Sequence, residues 1–152
     1  MLNNNSEEIK NSIYRFNEML KTNFVYFFDV KEFQNISEYY LSTGEIQLSK
    51  KALSMGLSQH PNNLDLLLIK IEHLILDKRF TSAKKILNNI DLISPSNEEV
   101  FIQKASIESK LGNHLKSINF LIKLLDFTEE PTDVWNLIGM EYFLLEDYYN
   151  AE

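Results

Sequence analysis

Three histidines, His60, His73 and His114, and 22 Asp and Glu residues are the groups in this 152-residue chain best suited to move protons or hold a metal. A metal site needs several such ligands brought together, and a general acid or base needs a shaped pocket and a partner. The histidines are spread through the chain, with no paired-histidine zinc motif and no clustering. No Gly-rich phosphate loop and no Gly-x-Ser-x-Gly turn occurs; Gly44, Gly56, Gly112 and Gly139 stand alone. The chain has no cysteine, which removes disulfides, Cys-based zinc sites and thiol nucleophiles together. The carboxylates Glu38, Glu72 and Glu141 are read as solvated or groove-facing charges. His60 is read as a polar residue near a helix end. No catalytic residue, cofactor or metal is therefore expected, and the chain is read as a non-enzyme.

What positions these groups is a repeat. Trp135, Phe101, Leu67 and Phe33 stand 34 residues apart and are all large and apolar. Ala151, Ser117, Ala83 and Ser49 share the same spacing and are all small. Leu53, Leu87 and Leu121 form a third column, Pro61 and Pro95 a fourth, and Gly44, Lys78 and Gly112 a fifth. The three histidines fall in three different columns, so they are not expected to converge.

The register predicts pairs of antiparallel helices. First helices are expected at 31–43, 64–77, 98–111 and 132–145, and second helices at 46–59, 80–92, 114–127 and from 148 onward. Small residues at 49, 83 and 117 let paired helices approach. Gly44 and Gly112 suit the left-handed turn that ends a helix. Pro61 and Pro95 cannot continue a helical ladder. Ser96-Asn97 offers a cap to the next helix, and Pro131 should mark the start of the last first helix. Upstream, Ile9, Ile13, Phe16 and Leu20 recur at steps of four, three and four, the face of an amphipathic helix starting near Ser6. The run Val25-Tyr26-Phe27-Phe28-Asp29 that follows is either a hydrophobic connector buried under the first helix or an exposed aromatic ligand site.

In type as well as spacing these columns resemble the tetratricopeptide repeat. The stretch Trp135-Asn136-Leu137-Ile138-Gly139-Met140-Glu141-Tyr142, with Ala151 beyond it, is similar to that family's signature. Gly44-Glu45, Ala52-Leu53 and Pro61-Asn62-Asn63 resemble its later half, with Gly56 where the family usually has Ala. Together with Tyr26-Phe27-Phe28-Asp29, Glu38-Tyr39-Tyr40 and Gln59-His60-Pro61, the chain resembles bacterial tetratricopeptide proteins common in Bacteroidetes. The resemblance implies an all-α, right-handed α-solenoid of antiparallel helix pairs, about three and a half units long. Residues 1–29 would form an N-terminal helix and aromatic connector. Residues 30–152 would form the array, in units 30–63, 64–97, 98–131 and an incomplete 132–152. The last unit stops early in its second helix, leaving Trp135, Leu137, Tyr142, Leu145, Tyr148 and Tyr149 short of cover. That suggests a fragment of a longer repeat protein, a non-catalytic fragment of a larger enzyme or regulator, or an edge capped by another chain.

In this family the first helices line a concave groove. The resemblance places Gln34, Glu38 and Leu41 there, then Leu68, Glu72 and Ile75, then Ile102, and finally Asn136, Met140 and Phe143. The family's two-carboxylate clamp uses Lys, Arg and Asn. Gln34, Glu38, Ile69, Glu99 and Gln103 stand in the matching places, so an acidic chaperone tail is not the expected ligand. An acidic, partly apolar groove favours a peptide or helix of another protein with Lys or Arg beside apolar anchors. The net charge of −7 and the lack of a Lys/Arg stripe argue against nucleic acid. The apolar run from Leu64 to Leu76 is interrupted by Asp65, Lys70, Glu72 and His73, so no membrane span is expected. The N-terminus has no signal-peptide pattern, and a cytoplasmic protein is expected. Self-assembly through the C-terminal edge is the further partner reading.

Overall fold

The computed structural model describes residues 2–151, with side chains described for residues 5–147. Among the described residues there are eight helices and no strand. They are α1 (Leu2–Lys21), α2 (Val30–Ser42), α3 (Ile46–Gln59), α4 (Leu64–Leu76), α5 (Phe80–Ile93), α6 (Glu98–Lys110), α7 (His114–Leu124) and α8 (Pro131–Ala151). The chain divides into two compact units, with the boundary after His73.

The repeat is written into the backbone at three helix stops. Gly44, Lys78 and Gly112 all have positive φ, at 81°, 58° and 78°. At each of these turns the following N–H reaches back five residues: Glu45 to Tyr40 (2.8 Å), Arg79 to Leu74 (2.7 Å) and Asn113 to Glu108 (2.8 Å). The left-handed residue's own N–H closes on the carbonyl three back, at Leu41, Ile75 and Ser109. These are three copies of the Schellman helix stop, each satisfying carbonyls that a helix end would otherwise orphan. The starts repeat as well. Asp29, Asn63 and Asn97 each accept a bond from the N–H three residues on, at Glu32, Leu66 and Val100. Asp29 completes a capping box, since the Glu32 carboxylate accepts the Asp29 N–H in return.

In the first unit, Phe16 and Met19 of α1 bury with Phe28, Phe33, Ile36, Tyr40, Ala52, Leu53 and Leu66. Polar contacts fasten α1 to α2: Arg15 pairs with Glu32 at 2.8 Å, and the Tyr40 hydroxyl donates to Asn17 at 2.7 Å. Helix α1 begins at Leu2, so Ser6 is not its cap. No Gly or Pro lies between Leu2 and Ser6 to interrupt it, and the asparagines there cost only fractions of a kcal/mol each, about 0.5 by helix propensity. In the second unit, Ala105 of α6, Ile118, Leu121 and Leu124 of α7, and Val134 and Ile138 of α8 form the core.

One expected turn is missing. Residues 132–145 and 148 onward were expected as two helices, yet α8 runs unbroken from Pro131 to Ala151. Glu146 occupies the column of Gly44, Lys78 and Gly112. Glutamate is a good helix former and pays to adopt the left-handed conformation, so the helix continues through it. The expectation for Tyr148, Tyr149 and Ala151 concerns side chains outside those described.

Candidate functional site

Each histidine is bound to a different part of the fold. His60 donates from Nε2 to the Phe28 carbonyl at 2.9 Å, fixing the aromatic connector to the end of α3. Gln59 grips the same segment twice, accepting the Phe28 N–H (3.1 Å) and donating to the Tyr26 carbonyl (2.9 Å). The connector is therefore neither wholly buried nor wholly a ligand surface: Phe28 is in the core, while Phe24, Val25 and Phe27 face solvent. His73 Nε2 lies 3.2 Å from Ser49 Oγ inside the first unit. His114 donates from Nδ1 to Glu141 Oε2 at 2.8 Å in the second. Among the described residues no three His, Asp or Glu side chains gather as a metal-binding group.

Of the three first-helix carboxylates, Glu38 and Glu72 are exposed. Glu141 is not a solvated charge but is 8% exposed, held by His114 across the α7–α8 contact. It lines a cavity of about 270 Å³ with Ser117 and Leu121 of α7, Ile102, Ala105 and Ser106 of α6, and Leu137 of α8. The walls are mostly apolar. Ser117 is 1% exposed, and its Oγ has no hydrogen-bond partner. Serine, histidine and glutamate thus lie near one another in the second unit, but the Ser117 hydroxyl is bonded to no imidazole. The serine–histidine kind of activated nucleophile is held by that bond. The arrangement is a polar-floored apolar pocket that can receive a ligand group. Sequence patterning missed Ser117 as more than a small packing residue, although the hydroxyls at Ser49 and Ser117, against Ala83, were a visible signal.

The expected groove residues divide between the two units. In the first, Gln34 and Leu41 are half-buried and Glu38 exposed on α2; on α4 Leu68 is half-buried and Glu72 exposed. Ile75 is a correction. It is only 6% exposed and offers no binding surface, because it lies one turn beyond the fully buried Ile71 on the same helix face. In the second unit, Ile102 lines the cavity, while Asn136, Met140 and Phe143 lie exposed on α8. Helix α8 turns Val134, Ile138 and Glu141 inward and leaves Trp135 59% and Phe143 64% exposed, with Met140 and Tyr142 also open. Glu108, on α6, is buried and ion-paired to Lys84. Burial pushes its carboxyl pKa up, but hydrogen bonds from Lys84 and Asn113 outweigh this and hold it below the ordinary value. No helix among the described residues is long and apolar enough to cross a membrane.

The class this architecture defines is an all-α solenoid of helical hairpins of the tetratricopeptide type. No protein-family model matches the sequence, and no curated protein matches it. Among solved structures the chain is similar to MamA, a protein of tetratricopeptide-like fold. One crystal form of MamA AMB-1 superposes with a TM-score of 0.63 at 17% identity, covering 95% of this chain and 90% of that one. A MamA mutant gives 0.58 at 17% identity, with 96% and 85% covered. A second crystal form of MamA AMB-1 gives 0.58 at 18% identity, with 96% and 91% covered. At such identities the likeness is one of fold alone.

Proposed function

We propose that the chain is a non-catalytic protein-interaction module that takes a peptide or helix of another protein on the surface of its first helices. The observation that carries this reading is the exposed apolar set on α8, Trp135, Met140 and Phe143, beside exposed Asn136. Monomeric proteins seldom leave several large apolar side chains together on one helix without use. Exposed Asp133, Glu146 and Asp147 flank the set, and Glu38 and Glu72 give α2 and α4 the same sign. A partner with Lys or Arg beside Leu or aromatic side chains complements such surfaces in both respects.

Fluorescence anisotropy with an amphipathic probe peptide of Leu and Lys, against its Leu and Glu counterpart, tests the reading. The lysine peptide should bind, and Met140→Ser with Phe143→Ser should weaken it about tenfold, as loss of central apolar anchors does. Glu38→Lys with Glu72→Lys tests the share of α2 and α4. Equal binding of both peptides would sink the charge complementarity, and undiminished binding by the α8 variant would move the site elsewhere.

Self-assembly through α8 is the second reading. It is favoured by Trp135, which is open to solvent although its column mate Phe33 is fully buried. Sedimentation at two concentrations decides it: a constant monomer mass removes the reading.

A further inference from the structure

The two units hold the same three positions of the repeat in opposite states. Ser37, Ser49 and His73 in the first correspond, two repeats on, to Ala105, Ser117 and Glu141 in the second. In the first unit these positions form a closed polar cluster. Ser49 Oγ donates to the Ser37 carbonyl (2.8 Å) and lies 2.9 Å from Ser37 Oγ and 3.2 Å from His73 Nε2. All three residues are buried. In the second unit the contacts are gone. Ala105 has no hydroxyl to offer, Glu141 is turned to His114, and Ser117 Oγ is buried without a partner. Instead there is the cavity of about 270 Å³ walled by Ile102, Leu121 and Leu137.

A buried hydroxyl left unpaired costs about 1–3 kcal/mol, so a ligand that satisfies it is favoured. The group that fits must bring donors to a carboxylate and a hydroxyl, and must carry an apolar stem to lie against the aliphatic walls. A carboxylate or phosphate would meet Glu141 with like charge. A purely apolar side chain would leave Ser117 unsatisfied. A guanidinium brings five donors in a rigid plane to a floor that holds a carboxylate and one hydroxyl. A primary ammonium on a chain of methylenes meets every requirement: three donors, no acceptor and an apolar stem. Lys110 is exposed at the rim, so the floor does not already hold an ammonium.

We propose that this cavity is the receptor for one lysine side chain of a partner polypeptide. Its methylenes lie along Ile102, Leu121 and Leu137, and its ammonium donates to Glu141 and Ser117. The proposal deepens the interaction-module reading and rests on it for the source of the lysine.

The test is an NMR titration of the full chain with Nα-acetyl-lysine methylamide, its norleucine counterpart and cadaverine. The lysine probe should give saturable amide shifts centred on Ser106, Ser117 and Glu141, and bind about tenfold more tightly than norleucine, the worth of one charge-assisted bond. Ser117→Ala should weaken the lysine probe severalfold while folding normally, since Ala83 already fills that column. Glu141→Gln should weaken it further. Equal affinity for norleucine, shifts centred elsewhere or an unaffected Ser117→Ala variant would overturn the proposal. Tighter binding of cadaverine than of the blocked lysine would overturn the polypeptide source. The α8 peptide assay is independent, since Met140 and Phe143 do not line the cavity, so either reading can fail alone.

Discussion

Phe33 lies against Gly56 so closely that a β-carbon on Gly56 would stand 2.9 Å from Phe33 Cγ, with Leu66 Cδ1 at 3.2 Å. Both Phe33 and Leu66 are fully buried, so neither can move aside freely. At position 56 this hairpin gives up a methyl to the Phe33 ring. Gly56→Ala should therefore lower stability by about 1–3 kcal/mol through overpacking, although alanine is the better helix former by about 1 kcal/mol. Adding Phe33→Leu should recover part of the loss. Urea unfolding measures both, and a Gly56→Ala protein more stable than wild type would contradict the packing.

Much of the fold was legible because the signals are local. The left-handed turns at Gly44 and Gly112, the cap at Asn97, and the stops before Pro61 and Pro95 each depend on a few neighbouring residues, and the period of 34 repeats them. The unbroken α8 was not legible, because Lys78 shows that the turn column tolerates a non-glycine residue, while Glu146 in that column stays helical. The site was less legible than the fold. The pairing of His114 with Glu141 depends on how α7 crosses α8, which no spacing within one helix encodes. Ile75 was misplaced for a similar reason: its column suits the groove, but the buried face of α4 at Ile71 carries it inward.

Lys78 is the only non-glycine residue with positive φ among those described, and it holds the position that Gly44 and Gly112 hold in the neighbouring hairpins. A side chain there costs about 1–2 kcal/mol that glycine does not pay. Lys78→Gly should raise stability by about 0.5–1 kcal/mol after glycine's greater freedom in the unfolded chain is subtracted. Gly112→Ala should lower it by about 1 kcal/mol for the converse reason. Thermal melts of the two variants should shift in opposite directions. A lower melting temperature for Lys78→Gly would show that the lysine makes contacts worth more than its strain.

The Glu108 carboxyl has its pKa lowered from 4.5. Burial acts to raise it, but the bonds from Lys84 and from Asn113 (2.8 Å) prevail. A carboxyl with a depressed folded pKa contributes stability that is fully present above the unfolded value and lost as pH falls through the folded one. Glu108→Gln should thus cost about 1–3 kcal/mol at neutral pH. The gap between variant and wild type should narrow once the pH drops below 4.5. Urea midpoints measured across that range test this, and a gap that stays constant into acid would remove Glu108 from the acid response.

Gln59 holds the aromatic connector as a neighbouring strand would, one amide group meeting an N–H of Phe28 and a carbonyl of Tyr26. His60 adds a bond to the Phe28 carbonyl and sets its ring edge-on to Phe27, with centroids 5.5 Å apart. Gln59→Leu keeps the bulk and removes both amide bonds, so it should cost about 1–3 kcal/mol. The effect should be local before it is global: the Phe28 amide should exchange with solvent faster, while amides in α2 keep most of their protection. Gln59→Glu separates the two bonds. A carboxylate still accepts from Phe28 but cannot donate to Tyr26, so its exchange rate at Phe28 should fall between wild type and Gln59→Leu. Unchanged Phe28 exchange in Gln59→Leu would mean that burial of the Phe28 ring among Phe16 and Phe33, and not the Gln59 amide, fixes the connector.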